Sequence, residues 1–228
     1  MTLIKASSVE FETRSNVELD REKINARKGY LTSKRFIDCM GALCGLIVLF
    51  PVFLIVAALI KYEDPKGSVF FKQIRVGKDG KEFYMYKFRS MVMDAEDRLK
   101  ELMKHNEVSG AMFKMKEDPR ITKIGKFIRK TSIDELPQLI NVLKGEMSLV
   151  GPRPPLPREV KEYTVYDKQR LLVTPGCTGL WQVSGRSNLS FEQMVELDIY
   201  YIIQRNIIFD IKILLRTVKV LLGSDDAY

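Results

Sequence analysis

Residues 39–60 run CMGALCGLIVLFPVFLIVAALI, 22 positions without a charge. As a helix this run is about 33 Å long, against a hydrocarbon core of about 30 Å. It lies too deep in the chain for a signal peptide and lacks a small-residue cleavage site. A buried core helix is the alternative, but helices of soluble proteins are rarely apolar on every side over such a length. The pattern predicts a membrane helix beginning near Leu31, with Ser33 as a candidate cap. Ahead of it the chain is polar and mixed in charge, which reads as a tail or short helices. After it, alternation over Phe70–Val76 and Glu82–Phe88, around GKDGK at 77–81, predicts a β-hairpin. Helical patterning follows at 94–104, 136–143 and over most of 191–222, while 123–129 is short, basic and partly apolar. Pro152, Pro154, Pro155 and Pro157 impose an extended stretch, and Pro175–Gly176 and Ser184–Gly185 mark loops. The fold class expected is α/β, mostly α with a small β-hairpin. Its divisions are a polar tail at 1–30, a membrane segment at 31–60 and a compact domain at 61–228.

Pro51 stands near the middle of the apolar run. In a helix it removes the bond to the Ile47 carbonyl and crowds that turn. The arms on either side have about 12 and 9 residues, roughly 18 and 14 Å, each near the depth of one leaflet. Positive charge flanks both ends: Arg27, Lys28, Lys34 and Arg35 before, and Lys61, Lys66, Lys72, Arg75 and Lys78 after. A span with cations at both ends is frustrated, and a re-entrant segment returning to one side is not. A kinked helix that still crosses is the competing reading. Near the C-terminus, Lys212, Arg216 and Lys219 form one cationic stripe on an apolar helix. That suits a helix lying at a lipid interface, or a core helix with one wet face.

Composition narrows the chemistry. Among 228 residues, 37 are basic and 29 acidic, a formal charge of +8. The excess suits phosphates, anionic headgroups or nucleic acid. One histidine and three cysteines, none in a CxxC pair, argue against zinc sites, disulfide frameworks and a His-dependent triad. Acids and bases are mixed throughout and no nucleic-acid recognition motif occurs, so a membrane-tethered basic binding protein is the weaker alternative and no nucleic-acid partner is expected. Walker A and GxGxxG loops are absent as well.

The candidate chemistry centres on Asp134 and Glu135 in TSIDELPQ. Ser132-x-x-Glu135 has the form of a capping box. Pro137 fits better if the helix starts at Asp134, among positions whose N–H groups have no intrahelical partner. Capping and catalysis both remain open for the two carboxylates. Cations surround them in sequence: Lys87 and Arg89 in KFRSM, Arg129 before the acids, Arg153 between two prolines, and Arg186 after a turn. An arginine held between prolines is an oriented phosphate donor at low entropic cost.

These motifs together carry a resemblance. YKFRSM (86–91), DPRITKIGKFIRKTSIDELPQLINVLKGEMSLVGPRP (118–154), PGCTGLWQVSGR (175–186) and LDIYYI (197–202), with the proline-bearing apolar segment, resemble the bacterial sugar transferases that load a sugar phosphate onto a polyprenyl phosphate carrier, the monotopic phosphoglycosyl transferases. The similarity runs from about residue 33 to 222. It implies a re-entrant membrane helix kinked at Pro51 and a cytosolic catalytic domain with interfacial amphipathic helices, on the cytoplasmic face of a bacterial plasma membrane. It implies transfer of a sugar 1-phosphate, with a hexose such as glucose or galactose expected and N-acetylated sugars open, from a UDP-sugar to polyprenyl phosphate with release of UMP. Asp134 would be the nucleophile and Glu135 would help hold Mg²⁺. Lys87, Arg89, Arg129, Arg153 and Arg186 would bind phosphate or nucleotide, and Asp198 falls in a matching block without a derived role. Many relatives carry further membrane helices ahead of this unit, which this chain is expected to lack. Some have serine before the membrane proline, where this chain has Phe50.

Overall fold

A computed structural model describes residues 18–102, 104, 115, 118–185 and 189–223. The chain enters through α1 (Arg21–Ala26), capped by the Asp20 carboxylate, which accepts from the amides of Glu22 and Lys23. Residues 18–27 are not a free tail. Ile24 is buried in the main core, the Leu19 amide donates to Gln169, Arg21 pairs with Asp79, and Arg205 donates to the Ile24 carbonyl.

Helix α2 (Lys28–Glu63) is 36 residues long, about 54 Å if straight. It begins before Leu31, and Ser33 lies exposed within it rather than capping it. Helical backbone continues on both sides of Pro51. One face points inward near both ends: Tyr30, Lys34, Asp38 and Ala42 at four-residue steps in the first half, then Val56 and Ile60 in the second. The opposite face exposes Phe36, Ile47, Val48, Phe50, Leu54 and Ile55. Two glycines allow the close approach of α2 to the body. A Cβ on Gly41 would lie 2.7 Å from Leu149 Cδ1, and one on Gly45 3.0 Å from Leu139 Cδ1.

Both ends of α2 dock on the same body. At one end, Asp210 accepts from the Tyr30 hydroxyl at 2.9 Å and from Lys34 Nζ at 3.0 Å, Asp38 accepts from the Leu149 amide, and Arg35 donates to the carbonyls of Val142 and Leu143. At the other, Val56 and Ile60 pack with Phe88 and Ile128, while Glu63 accepts from the amides of Lys123 and Ile124. Those amides open the helix at Lys123–Lys130, so Glu63 satisfies donors that a helix start leaves without intrahelical partners.

The body is mostly helical with two small sheets. Strands β1 (Phe70–Val76) and β2 (Glu82–Phe88) form the expected antiparallel hairpin, with Gln73 opposite Met85 and Phe71 opposite Lys87. Asp79 (φ 59°) and Gly80 (φ 77°) turn its tip in the left-handed region. Then come α3 (Ala95–Leu102), α4 (Lys123–Lys130) and α5 (Gln138–Lys144). Strand β3 (Ser148–Val150) pairs in parallel with β4 (Gly176–Thr178), a strand where Pro175–Gly176 reads as loop. The approach there excludes any side chain: a Cβ on Gly176 would sit 2.0 Å from the Gly151 nitrogen. Between these strands lie the extended prolines, α6 (Pro157–Lys161) and α7 (Val165–Lys168).

The predicted C-terminal helical stretch is two helices, α8 (Phe191–Gln204) and α9 (Ile207–Gly223). Ser190 and Gln193 form a capping box at the start of α8. Val150, Val195, Ile199, Tyr201, Ile202 and Ile213 make the main core. The far side of α9 leaves Ile208, Ile211, Leu215 and Val218 exposed at helical spacing. With the bare face of α2, these are large apolar surfaces that water covers poorly. In its most apolar window α2 is only 11% buried. Such a helix is not the core helix of a soluble domain, and the chain is membrane-associated.

Candidate active site

The chain leaves α4 at Lys130 and reverses through Thr131 and Ser132. Ser132 takes a left-handed conformation, φ 56° and ψ 17°, and makes no capping bond. A non-glycine residue there costs about 1 kcal/mol or more, and such strain gathers at functional sites. One 3₁₀ turn, Ile133–Glu135, follows, and Pro137 precedes α5. The capping-box reading therefore fails. Ser132 points its backbone the wrong way, and α5 begins past both acids.

The turn aims the carboxylates at β2. Lys87 Nζ donates to Glu135 Oε1 at 2.6 Å, across 48 positions of sequence. Asp134 is buried, and Glu135 keeps 40% of its side-chain surface open. Burial lifts the Asp134 carboxyl to about 6 against the pull of Lys87, with the neighbouring Glu135 charge adding to the rise. Burial acts the same way on Glu135, but the Lys87 charge and hydrogen bond outweigh it and hold this carboxyl below its ordinary value. Two adjacent acids are thus held in different environments, the arrangement that separates roles at catalytic sites.

A shallow cleft opens beside Glu135, lined among others by Lys87, Arg153, Arg75, Gln138 and Cys177. Arg153 faces it from the proline stretch after β3, and its charge acts on Glu135. The Arg129 charge reaches Asp134 from the end of α4. Burial pushes the Cys177 thiol well up, so at neutral pH it is a neutral wall residue rather than a nucleophile.

Two expected residues lie elsewhere. Arg89 pairs with Asp64 at 3.0 Å and lies directly over Gly67, bolting the end of α2 to β2. Asp198 is fully buried on α8 and forms an ion pair with Arg170, which also donates to the Tyr163 hydroxyl. Burial lifts Asp198 to about 6 despite that guanidinium, leaving the pair ionic at neutral pH. The pair joins α8 to residues 169–172, and the charge of Arg153 reaches Asp198 from the cleft. Arg186 lies outside the described residues. Arg75, counted by sequence among the charges flanking the membrane run, is instead buried in the cleft wall. Its signal was strand alternation: Gln73, Arg75, Met85 and Lys87 share one face of the hairpin.

The sequence pattern of a known family, the bacterial sugar transferases, matches residues 29–224, taking in α2, the carboxylate turn, the cleft and α9. The chain belongs to the bacterial sugar transferase family. It is 53% identical over 194 residues to the galactosyl transferase CpsE of Streptococcus agalactiae, covering 85% of this chain and 43% of that protein. It is 45% identical over 199 residues to the undecaprenyl-phosphate galactose phosphotransferase of Salmonella typhimurium, covering 86% and 41%. With the exopolysaccharide production protein ExoY of Sinorhizobium fredii it shares 38% over 200 residues, 86% of this chain and 88% of ExoY. The chain thus spans less than half the length of the first two relatives and most of the third.

The donor set bears on metal binding. Among the described residues, no group of three or more His, Cys, Asp or Glu side chains is placed to hold an ion. Asp134 and Glu135 offer carboxylate oxygens only. That set fits a hard cation such as Mg²⁺, which takes one or two carboxylates and completes its shell with phosphate oxygens and water.

Proposed function

We propose that this member of the family transfers a sugar 1-phosphate from a UDP-sugar to polyprenyl phosphate through a covalent intermediate on Asp134, releasing UMP. The observation that carries this reading is the buried Asp134 on a strained turn, set between Lys87, Arg129 and a cleft walled by Arg153. A desolvated carboxylate is a stronger nucleophile than a hydrated one, and the surrounding cations let it approach a diphosphate.

In the first half-reaction an Asp134 oxygen attacks the β-phosphorus. The bond from that phosphorus to the bridging oxygen breaks, and its electron pair leaves with UMP. The sugar phosphate stays on Asp134 as an acyl phosphate. In the second, a phosphate oxygen of the lipid attacks the same phosphorus and the Asp134 carboxylate departs. Lys87 and Arg153 offset charge on the diphosphate, and Arg129 offsets charge at Asp134. Glu135, with an open side chain, would hold Mg²⁺ together with the donor; the ion would supply neutralisation of the leaving phosphate. The names of the Streptococcus and Salmonella relatives favour galactose as the sugar and undecaprenyl phosphate as the carrier.

The docking of α2 supports a re-entrant placement. Tyr30 and Glu63, near its two ends, hold the same catalytic body. A crossing helix would carry one end to the far side of the bilayer, away from that body. The cytosolic location of UDP-sugars and the bare faces of α2 and α9 support a body on the cytoplasmic side with its cleft near the lipid headgroups. Single cysteines test this in a background without Cys39, Cys44 and Cys177. Ser33→Cys and Ser68→Cys should both resist an impermeant reagent in intact cells and react after lysis, and outside labelling at position 33 would establish a span.

The activity is tested with purified protein, UDP-galactose and undecaprenyl phosphate. UMP release coupled to formation of the lipid-linked sugar is expected. Release of UDP instead would mean transfer of the sugar without its phosphate and would overturn the reading.

A further inference from the structure

Arg75 and Gln138 are two buried polar side chains of the cleft that the mechanism above leaves unused. Arg75 is 5% exposed on β1 and has no carboxylate partner among the described residues. Its Nε and Nη2 donate to Gln73 Oε1 at 3.0 and 2.6 Å, and its Nη1 donates to the Pro154 carbonyl at 2.9 Å. A guanidinium has five N–H donors, so one hydrogen on each terminal nitrogen is left over. The charges that face it are Arg153 and Arg158 on one side of the balance, Glu159 and Glu135 on the other. Neither carboxylate forms an ion pair with Arg75 among the described residues. Burial and the Arg153 charge push this guanidinium down to about 9, as expected for a desolvated cation without a counterion.

Gln138 is 3% exposed at the first position of α5, and its carboxamide lines the same cleft. No protein hydrogen bond to that carboxamide is present among the described residues. Its polar atoms are not sealed from solvent, so they are open to a ligand in the cleft. A cation without a counterion and an amide without a partner, on two walls of one cleft, together ask for an anionic ligand rich in oxygen acceptors.

We propose that Arg75 and Gln138 bind the diphosphate of the nucleotide donor from two walls of the cleft beside the Asp134 turn. This rests on the proposed use of a UDP-sugar. Gln73 holds the guanidinium plane, and the Pro154 carbonyl ties it to the stretch that carries Arg153, so both arginines meet the same phosphates in a fixed relation.

The test measures UDP binding by titration calorimetry with full-length protein in lipid nanodiscs. The variants are Arg75→Met, Gln138→Ala and Gln138→Glu. Arg75→Met should weaken UDP binding tenfold or more and raise the KM for UDP-sugar in parallel, with the KM for polyprenyl phosphate unchanged. Gln138→Ala should weaken UDP binding about threefold or more. It removes no hydrogen bond within the protein, so it carries the test if Arg75→Met misfolds through loss of the Pro154 contact. Gln138→Glu should weaken binding tenfold or more, because it adds a negative charge beside Glu135. Wild-type affinity for UDP in both Gln138 variants would overturn the inference, as would Arg75→Met that folds and binds normally. Failure of the wild-type protein to bind UDP at all would instead overturn the choice of donor.

Discussion

Asn141→Ala should unfold the site from behind. Asn141 is fully buried on α5 and clasps the outer edge of β2, the strand that carries Lys87. Its Nδ2 donates to the Tyr84 carbonyl and to Glu146 Oε2, both at 2.7 Å, and its Oδ1 accepts from the Tyr86 amide at 3.0 Å. Alanine leaves the Tyr84 carbonyl and the Tyr86 amide unpaired against a buried helix, at about 1–3 kcal/mol each. Glu146 is only half-buried and can turn to water, so it adds little. The sum is about 4 kcal/mol. For a chain of this size each kcal/mol moves Tm by roughly 2–4 °C, so the expected fall is about 8–16 °C. The assay is thermal unfolding in nanodiscs at one scan rate, with UMP release measured on the same preparation. UMP release should fall too, because Lys87 loses its fixed reach to Glu135. Asn141→Asp keeps the volume but sets a carboxylate against the Tyr84 carbonyl and Glu146, and should be about as damaging. A fall in Tm below about 3 °C in either variant would refute the reasoning.

Asp198→Ala strips the buried Arg170 of its carboxylate and should cost about 3–5 kcal/mol of stability; the folded fraction should keep its KM for UDP-sugar, and a tenfold rise in that KM would return Asp198 to the binding site. Burial alone would raise the Asp118 carboxyl, but hydrogen bonds from Arg120 outweigh it and hold it below the ordinary value. Its stabilising effect is therefore present above a pH near 4 and lost as pH falls through the lower folded value, so Asp118→Asn should flatten the acid limb of Tm against pH, contrary to an unchanged limb. Chelation should stop transfer and added magnesium restore it, and Glu135→Ala should fail with Asp134 intact; full activity in excess chelator would remove the metal from the mechanism.

The hairpin was legible because strand alternation is a local pattern, and its observed bounds match it residue for residue. The apolar run was legible too, but α2 extends beyond it at both ends because Lys34, Asp38 and Glu63 find partners on distant elements, which hydropathy does not register. Partner choice explains the other differences. Asp198 and Arg89 look in sequence like any charge beside a motif, whereas in the fold each is taken up by a residue 28 or 25 positions away. Arg75 was hidden in the opposite sense, since a basic residue just past a membrane segment reads as a topological charge. The carboxylate turn kept two readings until the backbone of Ser132 excluded the cap. Lys87 and Glu135 were each visible, but their meeting across 48 residues depends on α5 packing on β2.

The covalent step is tested most directly by mixing the protein with UDP-galactose and no lipid acceptor, then measuring UMP and the intact mass of the chain. The wild-type protein should release up to about one equivalent of UMP per chain and gain the mass of a sugar phosphate, localised by peptide mapping to Asp134, while Asp134→Asn should show neither. Normal UMP release by Asp134→Asn, or an adduct on any other residue, would contradict a nucleophilic Asp134.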